Sequence, residues 1–175
     1  MRKLSMDELD RKTAEEFQRA EKFPLVLVLD NVRSMMNIGS LFRTADAFLV
    51  ESIMLCGITA TPPHREIQRA ALGATESVHW QYFEETTRAI SALRENGYHV
   101  LALEQAKGSE SLKNFIPERG QPYALVFGNE VKGVGEDVLA LCHGCIEIPQ
   151  FGTKHSLNVS VTAGIVIWDF FSKLA

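Results

Sequence analysis

Leu25-Val26-Leu27-Val28-Leu29 is a run of branched apolar residues with no polar member. A strand with one wet face alternates apolar and polar residues. An unbroken apolar run of this length belongs to a strand covered on both faces, as in parallel sheets flanked by helices. Similar stretches recur at residues 52–56, 78–82, 98–103, 123–127 and 145–148. Helical patterns lie between or after them at 37–48, 84–96, 135–141 and 158–174, with Gly97 placed as the stop of the second. Strands alternating with helices over short connections predict an α/β fold: a mostly parallel sheet with helices on both faces.

Two segments are expected. Residues 1–23 read as a short helical extension. The spacing Ser5-Met6-Asp7-Glu8 predicts a capping box that opens a helix running to about Ala20. Its basic residues (Arg2, Lys3, Arg11, Lys12, Arg19, Lys22) are matched by as many acidic ones, the pattern of a solvated face. Pro24 marks the entry to the body, residues 24–175.

The whole chain of 175 residues carries a net charge of -4, which argues against holding nucleic acid by bulk charge but leaves room for a local basic patch. The N-terminus has no apolar leader and no apolar run is long enough for a membrane helix, so a cytoplasmic protein is expected. The cysteines, Cys56, Cys142 and Cys145, predict reduced thiols. Cys142-His143-Gly144-Cys145 has CxxC spacing but no second pair to complete a zinc site, so a metal is not expected.

In open parallel sheets, ligands bind beyond the carboxyl ends of the strands. Neither the GxGxxG fingerprint nor the P-loop occurs after the first strand. Three polar clusters fill the corresponding positions. In the first, Asn37-Ile38-Gly39-Ser40-Leu41-Phe42-Arg43-Thr44-Ala45, Asn37 suits a helix N-cap and Gly39 a close backbone approach. Arg43 suits either an ion pair with Asp46 or Asp30, or a fork for phosphate. The second, Phe127-Gly128-Asn129-Glu130-Val131-Lys132-Gly133-Val134-Gly135, is glycine-rich and holds a carboxylate that turning alone does not require. The third, Gly152-Thr153-Lys154-His155-Ser156-Leu157-Asn158, precedes a helix apolar on nearly every side. Such a helix is expected to be buried all round, one face on the sheet and the other on a second subunit, with Trp168 and Phe171 covered and Ser156 and Asn158 inside the protein.

Together the clusters resemble the signature motifs of the SpoU (TrmH-like) branch of the SPOUT RNA methyltransferases. The first is similar to Asn-x-Gly-x-x-x-Arg-Thr-Ala, the second to Gly-Asn-Glu-x-x-Gly, and IEIPQFGTKHSLNVSVTAGI to the Ile-Pro…Ser-Leu-Asn-Val-Ser motif. The resemblance implies a C-terminal deep trefoil knot, which general topology rules would reject. It implies methyl transfer from S-adenosylmethionine (AdoMet) to a ribose 2′-hydroxyl of tRNA or rRNA by a homodimer. The cofactor is then held around Leu103, Gly128, Asn129, Ile148 and Leu157. Arg43, Asn37, Glu130, Ser156 and Asn158 form the catalytic set. A guanidinium holds its proton too tightly to serve as a base, so Arg43 is read as a phosphate clamp and alkoxide stabiliser.

With so short an extension, the expected RNA contacts are Lys3, Arg11, Lys12, Arg33, Arg65, Arg69 and Lys154, with His64 and His155 near the site. The rivals are a knotted enzyme acting on a base nitrogen, a catalytically silent RNA-binding module, and an α/β domain with a non-RNA ligand. The Asn-x-Gly-x-x-x-Arg pattern and the intact polar set weigh against the first two.

Overall fold

The structure, a computed structural model, describes residues 1–5 and 7–175. Seven strands form one parallel sheet: β1 (Phe23–Asp30), β2 (Val50–Cys56), β3 (His79–Phe83), β4 (His99–Leu103), β5 (Glu110–Ser111), β6 (Tyr123–Phe127) and β7 (Gly144–Glu147). Their order is β3-β2-β1-β6-β4-β7-β5. The chain lays β2 and β3 outward on one side of β1. It then crosses to β4 and β5 on the other side. The gaps beside β4 are filled by the later strands: β6 between β1 and β4, β7 between β4 and β5.

Alternation within β1 divides two cores. Leu25, Leu27 and Leu29 pack with α2 (Met35–Ala47), α3 (Arg65–Ala71) and α7 (Val159–Leu174) on one face. Val26 and Val28 pack with α5 (Thr86–Glu95) and α6 (Glu136–Leu139) on the other. Both faces are covered, which is why these strands read as unbroken apolar runs. Gly97 takes φ +82 just past α5 and ends it as expected. Among the described residues, no helix is long and apolar enough to cross a membrane.

The extension departs from its expected form. Ser5 N–H does donate to Glu8 Oε2 at 2.7 Å, half of the expected box, but only a 3-10 turn, Asp7–Leu9, follows. Met6 lies outside the described residues. Asp10 turns the chain at φ 46, and a second box opens α1 (Ala14–Arg19). There Glu16 N–H donates to Thr13 Oγ1 at 3.2 Å and Thr13 N–H to Glu16 Oε2 at 2.8 Å. Both orphan donors are satisfied at Thr13, so the helix starts there. Phe17 pins it to the core, and α1 lies against α4 (Ala74–Ser77).

α3, α4 and β5 are not legible in the sequence. α3 is short and charged, capped by His64, whose Nδ1 accepts from Glu66 N–H, and ended by the left-handed pair Leu72 and Gly73. Gly39 shows why α3 packs so closely on α2: a Cβ there would overlap the Ile67 carbonyl oxygen and stand 2.7 Å from Ala70 Cβ.

α7 meets the sheet with one face, as expected. It buries Ala163, Val166, Ile167 and Phe170 on the sheet. Within one chain, however, Val161 (51%), Ile165 (40%) and Trp168 (57%) remain exposed, and Phe171 is half-buried. Ser156, Leu157 and Asn158 are exposed in the single chain as well. Two layers flank the sheet, so one chain can cover only one side of this helix.

Gly39→Val forces α3 off α2, because the obstacle is backbone rather than a flexible side chain. The expected loss is about 1–3 kcal/mol in thermal or urea unfolding.

Candidate functional site

A cavity of about 700 Å³ opens beyond the carboxyl ends of β4, β6 and β7. Leu103, Phe127 and Ile146 form its strand-end wall; Gly128, Asn129, Glu130, Ile148, Ser156, Leu157 and Asn158 line the rest. The expected cofactor residues Leu103, Gly128, Asn129, Ile148 and Leu157 are thus brought to one place.

The loop after β6 is folded on itself. Asn129 N–H donates to the Gly133 carbonyl at 3.0 Å and Gly133 N–H returns to Asn129 at 2.8 Å. Gly133 sits at φ +71, which glycine adopts without cost. At Gly128 a Cβ would overlap the backbone of Gly133 and Val134, so the two loop limbs close only over a glycine. The Asn129 side chain finishes the turn. Its Oδ1 accepts from Val131 and Lys132 N–H at 2.9 and 3.0 Å, and its Nδ2 donates to the Asn31 carbonyl at 2.8 Å.

This turn presents Glu130 to the start of α2. Arg33 N–H donates to Oε2 and Ser34 N–H to Oε1, both at 2.9 Å. Asn37 Nδ2 donates to Oε1 at 3.1 Å, and Asn158 Nδ2 donates to Asn37 Oδ1 at 3.1 Å. Asn158 Oδ1 accepts from Ser160 N–H at 2.8 Å and caps α7. A single relay, Asn158 to Asn37 to Glu130, therefore joins all three sequence clusters. Asn37 reaches it because it is not the N-cap. Ser34 takes that role, with Oγ accepting from Asn37 N–H at 3.3 Å. The helix starts earlier than expected, and Asn37 in its first turn keeps its amide free for Glu130.

Burial works against the charge of Glu130. The Arg33 and Ser34 N–H groups and the Asn37 amide outweigh it and hold the carboxyl below its ordinary value. Oε1 accepts two N–H groups and Oε2 a third, and these donors favour the ionised form, so Glu130 is an anchor rather than a proton acceptor.

Arg43 stands apart. It is exposed on α2 and lines a different cleft, about 340 Å³, with Lys12 and Asp46. The ion pairs among the described residues are Arg2–Glu8, Arg88–Glu85 and Lys173–Asp169, and Arg43 belongs to none of them. Asp46 instead accepts from Ser77 Oγ at 2.5 Å. The scaffold pairing with Asp46 or Asp30 is not formed. His64 caps α3, while His155 lines the main cavity.

Sequence reasoning missed Asn31, Glu104 and Gln105, and saw Asp30 only as a possible partner of Arg43. Asp30, 2% exposed, accepts from Thr86 Oγ1 (2.6 Å), Asn31 Nδ2 (2.9 Å) and Gly135 N–H (2.9 Å). A carboxylate directly after a buried strand was the available signal. The cysteines are free, and burial pushes the Cys142 thiol up to about 11, which makes it a poor nucleophile.

The depressed carboxyl of Glu130 fixes a pH dependence. A group whose folded pKa is lowered adds stability above its unfolded pKa, about 4.3 for Glu, and loses it as pH falls through the folded value. Glu130→Gln is therefore expected to unfold at a lower temperature than wild type at neutral pH. The gap should close only well below about pH 4.3, and calorimetric melts across pH read this out.

Comparison with known proteins bears on the family and the fold. The profile of the SpoU rRNA Methylase family matches residues 24–168. The 23S rRNA (guanosine-2′-O-)-methyltransferase RlmB of Neisseria meningitidis serogroup B is 31% identical, the match covering 82% of this chain and 56% of that protein. The AdoMet-bound rRNA methyltransferase of Sinorhizobium meliloti superposes with a TM-score of 0.82 at 29% identity, over 89% of this chain and 58% of its own. A structure described as giving insight into 2′-OH methylation of C/U34 on tRNA has a TM-score of 0.75 at 28% identity, over 86% of this chain and 97% of that one. The chain spans about three-fifths of the length of the curated relatives it matches. With a profile match across nearly the whole body, the chain belongs to the SpoU rRNA methylase family.

Proposed function

We propose that this protein transfers a methyl group from AdoMet to a ribose 2′-hydroxyl of tRNA or rRNA, in the cytoplasm, as a homodimer and without a metal. Residues 1–23 form an extension and 24–175 the methyltransferase domain. The observation that carries this reading is the Asn158–Asn37–Glu130 relay on the rim of the cavity. The family match and the names of the relatives support the reaction class.

The cavity suits AdoMet. Its volume lies in the range of small-ligand sites, and Leu103, Ile146, Ile148 and Leu157 give apolar walls for a purine. Glu104, Glu130, Glu136 and Glu147 also line it, against Lys132 and His155, which favours a ligand of net positive charge. When bound, AdoMet supplies a methyl group already activated by a positive sulfur. Glu130 fixes the loop and the Asn37 amide. Asn37 fixes Asn158, whose amide has two N–H groups and spends one on Asn37, leaving the other to orient a ribose oxygen. Ser156 shapes the loop beside it. Positioning of this kind can supply much of a rate enhancement when the donor is intrinsically reactive.

Arg43 does not line the cavity of its own chain, so its catalytic role is one exercised on a second copy. There it clamps phosphate and stabilises the developing alkoxide while the proton leaves to water. The apolar stripe Val161, Ile165 and Trp168 supports the dimer, because exposed residues at this helical spacing form one continuous face. The strand order supports the trefoil knot: β6 and β7 enter a half-sheet whose β4 and β5 precede them in sequence.

The test is methyl transfer from AdoMet to bulk tRNA and rRNA in the presence of EDTA, with nucleoside mass spectrometry to identify the product. A methylated base in place of a 2′-O-methylated ribose sinks the proposal. In the same assay Arg43→Ala is expected to lose roughly two to three orders of magnitude in rate with its melting temperature intact. Arg43→Lys should recover little, since an ammonium has no two-point fork. Near-normal turnover would remove Arg43 from the catalytic set. Trp168→Glu puts a charge in the stripe and is expected to yield monomers by light scattering, with activity lost in parallel.

A further inference from the structure

Four carboxylates line the cavity, and they are not equivalent. Glu130 is spent on the relay, Glu136 is exposed, and Glu147, half-buried, has no hydrogen bond fixing its carboxylate among the described residues. Glu104, at the end of β4, is half-buried and fixed by backbone. Its Oε1 accepts from Gln105 N–H at 2.9 Å and its Oε2 from Val134 N–H at 3.1 Å. Its own carbonyl accepts from Cys145 Sγ at 3.2 Å. Gly133 leaves the space the carboxylate occupies, since a Cβ there would overlap Oε2. The next residue completes the clasp, with Gln105 Nε2 donating to the His155 carbonyl at 2.6 Å. Residues 104 and 105 thus hold the loop after β6 with one side chain and the loop before α7 with the other.

A lock between loops needs only an acceptor. A carboxylate brings a full negative charge as well, and each oxygen keeps a second lone pair. We propose that Glu104 is the residue by which the cavity selects the positively charged methyl donor over its neutral product. This rests on the AdoMet reading above. Methyl transfer converts the donor's sulfonium to a thioether, so the ligand's net charge falls from positive to zero. A carboxylate fixed in a partly buried cavity distinguishes the two states by charge, whereas apolar walls and backbone contacts see nearly the same shape. Attraction to the sulfonium is present before the reaction and fades along it. Glu104 is therefore a specificity residue: it favours cofactor capture and product release, and its weakening hold on the sulfonium slightly raises the barrier of the chemical step.

The test is calorimetric titration of the full chain, wild type and Glu104→Gln, with three ligands: AdoMet, S-adenosylhomocysteine, and sinefungin, which carries a protonated amine near the sulfonium position. The variant is expected to lose about tenfold in affinity for AdoMet and sinefungin and less than about twofold for S-adenosylhomocysteine. Equal weakening of all three, or of none, overturns the proposal and leaves Glu104 as a loop lock. A wild type that binds none of the three overturns the AdoMet reading itself. If that variant does not fold, Glu104→Ala is titrated in its place against the same three ligands, with the same selective loss for AdoMet and sinefungin expected, and equal weakening of all three or of none overturns the proposal.

Discussion

Strand β6 is hydrogen-bonded along both edges: Leu25 to Leu29 of β1 on one side and His99 to Leu103 of β4 on the other. All five of its residues are buried. Its end delivers the loop that carries Gly128 to Gly135, and the start of α2 lies within hydrogen-bond reach of that loop. The loop is then fastened to the end of β1 at several points: Asn129 to the Asn31 carbonyl, Gly135 N–H to Asp30, and the backbone of Arg33 and Ser34 to Glu130. Asp30 is a buried charge, and such a charge is tolerated only when its oxygens are satisfied. Its three donors do that. The cavity is thus a consequence of where β6 sits.

The electrostatics follow from this arrangement. A carboxylate in a proposed methyl-transfer site invites a general-base role, but Glu130 is held ionised by three N–H groups. Its strength is spent on geometry. Taking a proton would break the contacts that form the loop, so the same bonds that build the site make Glu130 unsuited to proton transfer. What remains for chemistry in one chain is amide groups with defined orientation.

The sheet was legible because burial on both faces leaves a plain mark: the apolar stretches at 25–29, 52–56, 78–82, 98–103, 123–127 and 145–148 all became strands. β5 and the two short helices left no such mark. β5 pairs only through Glu110 and Ser111, and α3 is a charged helix whose placement depends on the missing side chain of Gly39. In the site, the polar residues that broke an apolar context were readable, and Asn37, Glu130 and Asn158 meet as one relay. Their local roles were less so. Ser34 and Asn37 are both good caps, and only the packing of Glu130 decides between them. Glu104 looked like an ordinary strand end, because its role depends on Gly133, a neighbour distant in sequence.

The position of Arg43 and the apolar face of α7 bear on the same question. α2 packs against α7, so the helix that carries Arg43 adjoins the helix that leaves Val161, Ile165 and Trp168 uncovered. In the proposed dimer, covering that face brings a second copy next to α2, and with it a second cavity. One association then hides the apolar stripe and gives the unpaired guanidinium something to act on. Lys12 lines the cleft beside Arg43, so the charge-balanced extension still places one cation next to the residue proposed to hold phosphate. A chain with net negative charge can meet RNA in this way, through a few cations set at the reacting nucleotide rather than through its overall field.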